Sequence, residues 1–338
     1  MKLYLRLMAI ILLLALGFRR NLNEVPIAVQ VDVIPSGTSI GAVAWSPDGQ
    51  YIAYSDLLND TVMVWDIKQE AVVHTFQGEV YGVNSLNWSD DGRYLAASGN
   101  WAIVWDITDG TTYPRRDILD FVVNIGDLAW QPETHNLIYI YWGVGAETET
   151  SNSVVRLWNI DTQQLIQIGF PLTSFPRITW NPAGTYLAIS DSECLQIRDV
   201  ARSTVVSDVR RLGRVVDFDW SGDGQMIAIA TTYPGPSKYI QIHGVFKSKL
   251  VAGPNVEGLL IQDIDWNPEH DVIAYIDDNR TVYLWDLDFN KIIFQTTFPS
   301  GVGRQANYAT GPVEWSEDGQ FLATIDGTGN IIIWKVYL

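Results

Sequence analysis

The sequence predicts an all-β protein made of seven copies of one four-stranded antiparallel unit, and three observations carry that prediction. The first is a ladder of tryptophans, Trp45, Trp88, Trp130, Trp180, Trp220, Trp266 and Trp315, spaced by 43, 42, 50, 40, 46 and 49 residues in a chain of 338. The second is that most of them open related segments in which a turn runs into a β-rich stretch: WSPDGQYIAY, WSDDGRYLAA, WNPAGTYLAI, WSGDGQMIAI and WSEDGQFLAT. The third is a second ladder, 17 to 28 residues after the first, at Trp65, Trp105, Trp158, Arg198, His243, Trp285 and Trp334. Four short strands in each repeat of about 45 residues, seven times over, is the pattern of a β-propeller.

Each element follows from local chemistry. After the first-ladder Trp comes a turn in which Pro47 suits the second position and Gly49 the fourth, where positive φ carries no steric cost. Trp130 and Trp266 keep the Pro and lose the Gly. The third strand of each repeat closes on the second ladder and alternates with period two, as in TVMVWDI and TVYLWDL. A polar turn and an outer strand follow, for example Ala71 to Phe76 and Lys291 to Phe298. The last repeat stops at its third strand, Ile331 to Leu338, while Pro26 to Val33 is a strand with no repeat of its own. The economical expectation is that this N-terminal strand joins the last blade and removes an open sheet edge.

These Trp-Asp strand ends and the seven-fold period make the region from about residue 25 to 338 resemble the WD-repeat seven-bladed propeller family, in a degenerate, bacterial-type form. The resemblance implies a non-catalytic protein-binding scaffold. Departures are visible: no blade has the Gly-His pair before its first strand, and Asn59, Asn152 and Asn279 stand where the family's Asp is expected. The hydrogen-bonding tetrad of the family is therefore not expected to be complete. The WSPDG-type turns also resemble periplasmic TolB-like propellers, which suggests an envelope component as an alternative.

Residues 1–20 form a second, separate segment. Lys2 and Arg6 precede an uninterrupted apolar run from Leu7 to Phe18, the pattern of a secretory leader, with small residues allowing cleavage after Gly17. Arg19 and Arg20 would equally flank a short uncleaved anchor. Either way the expectation is an exported chain, outside the cell, in the periplasm or on the outer face of a membrane. Without residues 1–20 the chain keeps 18 basic against 39 acidic side chains. So acidic a body excludes nucleic acid and anionic lipid as partners, since binding there depends on Lys and Arg releasing counterions. Membrane contact is expected only through the N-terminal segment, and the propeller is expected to be a monomer.

Catalytic signatures are missing: a direct scan finds no G-x-S-x-G elbow, phosphate loop, dinucleotide fingerprint or H-E-x-x-H. Cys194 reads as an inert small side chain and His243, in place of a ladder Trp, as a packed and hydrogen-bonded one. No enzyme activity and no cofactor are expected.

Two groups of residues stand out as candidate sites. Asp217, Asp219, Asp263 and Asp265 lie one and three residues before a ladder Trp, with Asp127 and Glu314 in like positions. Period-two spacing puts each pair on one side of an inner strand, near the axis. They are expected mainly to accept hydrogen bonds from neighbouring inner strands or to pair with Arg177 and Arg214. The alternative is a channel-bound cation in a lactonase-like hydrolase. The second group comprises Trp101, Tyr141 and Trp142, aromatics that the repeat does not explain, with Glu147 and Glu149 in the insertion Gly143 to Ser153. Arg304 and Tyr308 form an outlying patch. Aromatic anchors beside an adaptable loop are the material of interaction hot spots, so a protein or peptide partner of basic character is expected on the top face.

Overall fold

A computed structural model describes residues 27–77, 81–115, 124–142, 153–172, 176–191, 194–210, 212–231, 240–246, 249–252, 254, 260–299 and 312–338. These residues form seven four-stranded antiparallel sheets. Six are consecutive along the chain; their inner strands are Val43–Trp45, Ser85–Trp88, Asn124–Trp130, Ile178–Trp180, Val215–Trp220 and Ile261–Trp266, in blades one to six. Blade seven combines Val313–Trp315, Phe321–Ile325 and Ile331–Val336 with Ala28–Ile34, which takes the outer place. The expected closure is thus seen: Ala28 pairs with Val336 and Ile34 with Ile331, across a bulge between Gln30 and Asp32. Among the described residues no helix is long and apolar enough to cross a membrane.

The first-strand turns close in the way their sequence requires. In blade one the Ser46 hydroxyl donates to Asp48 Oδ1 at 2.7 Å and accepts the Tyr51 N–H at 2.8 Å, while Gly49 has φ +67°. The same clasp recurs at Ser89–Asp91, Ser221–Asp223 and Ser316–Asp318, and the Asn181 carboxamide replaces the hydroxyl in blade four. All these turns lie on one face, the bottom; loops joining second to third strands and successive blades lie on the top.

The core is a set of layers between blades. Every first-ladder Trp is at most 6% exposed. In most layers it is joined by the second-ladder indole of the same blade: Trp88 with Trp105, Trp130 with Trp158, Trp266 with Trp285, Trp315 with Trp334. Burying two such rings per layer, at a few kcal/mol each, is how a stack of thin sheets becomes one cooperative ring. Asn59 and Asn279 lie in turns, where the Asn59 side chain and the Asn279 N–H donate to Asp56 and Asp277; Asn152 lies outside the described residues. One link between second and third strands is present at Trp334, whose indole donates to Thr324 Oγ1 at 2.9 Å.

Candidate functional site

The seven inner strands surround an axial channel of about 230 Å³, lined by Asp127, Arg177, Asp217, Asp219, Asp263, Asp265 and Glu314 among others. Both expected carboxylate pairs reach it, and their partners explain the two-residue spacing. The carboxylate three residues before a ladder Trp accepts an N–H two residues before the next blade's Trp: Asp127 from Ile178 at 3.0 Å, Asp217 from Ile264 at 3.2 Å, Asp263 from Val313 at 2.9 Å. The side chain one residue before a ladder Trp accepts the next Trp's own N–H: Asn87 from Trp130 at 3.0 Å, Asp219 from Trp266 at 2.9 Å, and Asp265 from Trp315. A two-residue step on one strand therefore meets a two-residue step on its neighbour. The indoles of Trp45, Trp88 and Trp130 add a third rung, donating to the carbonyls of Glu314, Ala44 and Asn87 of the preceding blade.

Electrostatics in the channel follow from this enclosure. Burial raises the Asp219 carboxyl to about 6, although hydrogen bonds from Asp265 and the Trp266 N–H oppose the rise. Burial and the Asp217 charge raise Asp263, and burial with the Asp219 and Glu314 charges raises Asp265. Like charges this close disfavour one another's ionisation, which is why Asp219 and Asp265 are both raised. Arg177 enters from blade four, within the field of Asp217, Asp127 and Asp263. Asp127, Asp217, Asp219, Asp263 and Asp265 thus accept hydrogen bonds from neighbouring strands, as expected, and each spends an oxygen on a backbone donor. Among the described residues no group of three or more His, Cys, Asp or Glu side chains is arranged to hold a metal.

His243 is 6% exposed and hydrogen-bonds Gln241 Oε1 at 3.1 Å, the packed role expected of it, and burial lowers its pKa. His135 has a part that sequence reasoning missed. Its Nδ1 meets Asp161 at 2.8 Å and its Nε2 meets Asp91 at 3.0 Å, tying the bottoms of blades two and three. The turn position of His135 was legible in the repeat, whereas the two carboxylates come from separate turns.

On the top face, Trp101 is half-buried and immediately precedes the third strand of blade two, Ala102–Asp106. Beside it, Tyr81 and Asn100 clasp each other: the Tyr81 N–H donates to Asn100 Oδ1 at 2.7 Å and the Asn100 N–H to the Tyr81 carbonyl at 3.0 Å. This ties Tyr81, 52% exposed, to the residue that precedes Trp101, and the repeat assigns Tyr81 no position from which this could be read. Tyr141 and Trp142 do not begin a loop; they end the second strand of blade three, Asn136–Trp142, where Trp142 pairs with Asn124 and Ser153. Glu147, Glu149, Arg304 and Tyr308 lie outside the described residues.

Comparisons with known proteins agree with this architecture. Residues 30–66 and 70–106 match the family model of the WD40 domain, G-beta repeat. Protein HIR1 of Cryptococcus neoformans is 27% identical over 221 residues, 58% of this chain and 23% of that protein. Transducin-like enhancer protein 2 of Mus musculus is 27% identical over 100 residues, 29% of this chain and 13% of that protein. The anaphase-promoting complex subunit cdc20 of Dictyostelium discoideum is 30% identical over 146 residues, 42% of this chain and 28% of that protein. The chain thus spans under a third of the length of each of these relatives. They lend no support to a bacterial-type repeat. Among solved structures, the propeller domain of Cps50 (Swd1) from Myceliophteria thermophila is similar at a TM-score of 0.67 and 17% identity, covering 92% of this chain and all of that one. A chain of the mitotic checkpoint complex is similar at a TM-score of 0.71 and 18% identity, covering 96% of this chain and 99% of that one. At these identities the likeness shows the fold.

Proposed function

Because this chain carries WD40 repeats and folds as a seven-bladed propeller, we propose that it is a non-catalytic scaffold that binds a protein partner on its top face. The observation that carries the reading is the Tyr81–Asn100 clasp, which ties the backbone of Tyr81, whose ring is exposed, to the residue before the half-buried Trp101. Side chains of this kind deliver large contact area at small entropic cost, which makes them hot-spot anchors. The channel carboxylates are engaged in holding blades together, so they need no catalytic role to account for them. The similar cdc20 is named as a subunit of the anaphase-promoting complex, a protein assembly, which supports the same reading. A basic rim on the partner would complement the acidic body and favour encounter.

Tyr141, Trp142, Glu147 and Glu149 belong to the same proposal as the extension of this surface onto blade three, with Arg304 and Tyr308 as its outlying patch. We place the protein outside the cytoplasm, on the strength of the charged and apolar pattern of residues 1–20. Crosslinked capture with the wild-type chain, set against Tyr81→Ala with Trp101→Ala, tests the surface; a folded double variant that retains every partner would overturn it. A reporter active only after export, fused behind residues 1–26, tests the location separately.

A further inference from the structure

The layer between blades three and four lacks an indole. Its first-ladder ring, Trp180, is present, but position 198 is Arg where most blades place a Trp. Arg198 does not fill the space; its guanidinium turns along its own strand onto Gln196 Oε1, with Nε at 3.1 Å and Nη2 at 2.8 Å. Within this layer, opening at the bottom rim, is a pocket of about 470 Å³. Leu157, Trp180, Val200 and Ala201 supply its apolar wall, and Gln131, Asp199 and Arg202 its polar edge.

At the polar edge the Asp199 and Gln131 side chains are already engaged, while Arg202 keeps free donors. Asp199 accepts the Arg202 N–H at 2.8 Å and its other oxygen accepts Arg202 Nη1. Gln131 is used at both ends, donating to the Gly184 carbonyl and accepting from Asn136, each at 2.9 Å. Left over are the remaining N–H groups of Arg202, which is 77% exposed at the lip, and the buried Trp180 indole N–H, which has no partner among the described residues. A buried donor without an acceptor is costly until something supplies one.

We propose that this pocket receives an aromatic side chain of a partner polypeptide, with an adjacent carboxylate bound by Arg202. The ring packs against Leu157, Trp180 and Val200, as a second indole packs beside the first-ladder ring in the layers of Trp105, Trp158 and Trp285. The carboxylate answers the surplus of donors, Arg202 being suited to planar, multidentate recognition. Asp199 balances the Arg202 charge at the lip, so the selectivity for a carboxylate comes from the geometry of the remaining Arg202 N–H groups, and the charges of the rest of the acidic body beyond about 8 Å are largely screened at physiological ionic strength. This site rests on the scaffold reading but is distinct from the top face in place and in the charge it selects.

The test is fluorescence anisotropy of labelled acetyl-Gly-Asp-Trp-Asp-Gly-amide with the full chain at physiological salt. Saturable binding is expected, about tenfold or more weaker when the peptide's Trp becomes Ala, the size of a hot-spot loss. Val200→Phe, which fills the pocket from within, should abolish binding, with circular dichroism confirming its fold. Arg202→Gln, on the surface, should weaken the Asp peptide about tenfold and leave an Asn-Trp-Asn version unchanged. No binding of the parent peptide, equal binding of the Ala peptide, or indifference to both variants would overturn the proposal. Any of those results together with intact capture through Tyr81 and Trp101 would remove this pocket and leave the scaffold standing.

Discussion

The carboxylate of Asp219 in blade five accepts the backbone N–H of Trp266 in blade six at 2.9 Å, so one blade's acid holds the next blade's core residue in register. The same acid is hydrogen-bonded with Asp265, and burial lifts it from 3.8 to about 6. A pKa raised on folding stabilises fully below the unfolded value and loses that contribution as pH rises through the folded one. The window is therefore from about pH 4 to about pH 6. Asp219→Asn keeps an acceptor for Trp266 and adds a neutral donor for Asp265. It should be more stable than the wild type at pH 7.5 by about 1–2 kcal/mol, after discounting for solvent reaching the channel, with the gap closing toward pH 4. Urea titrations across this range check it; a variant destabilised at every pH would show that the carboxylate itself is required.

His135 gives the opposite face its own pH dependence. Partial burial pulls its pKa down, but hydrogen bonds to Asp161 and Asp91 outweigh this and raise it; Tyr94 packs edge-on at 5.0 Å, and Arg93 lies over the Tyr94 ring. The raised value means that its contribution is complete below about 6.5 and fades as pH climbs through the folded pKa. Both carboxylates are about half exposed, which keeps the effect small. His135→Ala should cost about 0.5–1 kcal/mol at pH 5.5 and little at pH 8.5. Equal costs at the two values would mean that the ring acts by packing alone.

Trp220 is 4% exposed and anchors the layer between blades four and five. Trp220→Ala should lower stability by about 3–5 kcal/mol, as other large core truncations do. A loss below about 1 kcal/mol in reversible denaturation would contradict its place in the core.

The seam of blade seven predicts a contrast between two truncations. Removing residues 1–34 strips the partner from Ile331–Val336 and uncovers a sheet edge together with the apolar surface under Ala28 and Ile34. This protein should melt lower and aggregate, whereas removal of residues 1–20 should leave melting unchanged. Scanning calorimetry with light scattering separates them, and identical behaviour would deny the strand any fastening role.

The ring, its strand count and its closing strand were legible because each rests on local period and turn chemistry: Trp at a fixed spacing, Pro47 and Gly49 in a turn, and alternation before Trp65. The Asp pairs were legible for the same reason, since Asp219 and Asp265 occupy one repeat position, and Asn87 could have been found by the same alignment. What escaped lies between repeats. His135 meets carboxylates from two other turns, and Tyr81 is held by Asn100 from the next blade. The pocket beside Trp180 is lined by residues from blades three and four, Leu157 and Val200 among them, which no single repeat brings together.

The closing seam also has a mechanical consequence. Ala28 lies opposite Val336, and the Tyr337 N–H donates to the Ile27 carbonyl, so both chain ends leave the ring at one corner. A pull between them loads the hydrogen bonds of these two strands one after another, as a zipper, and peels the strand at low force. The seam between Ala28–Ile34 and Ile331–Val336 is therefore the line along which a pull on these two strands opens the ring.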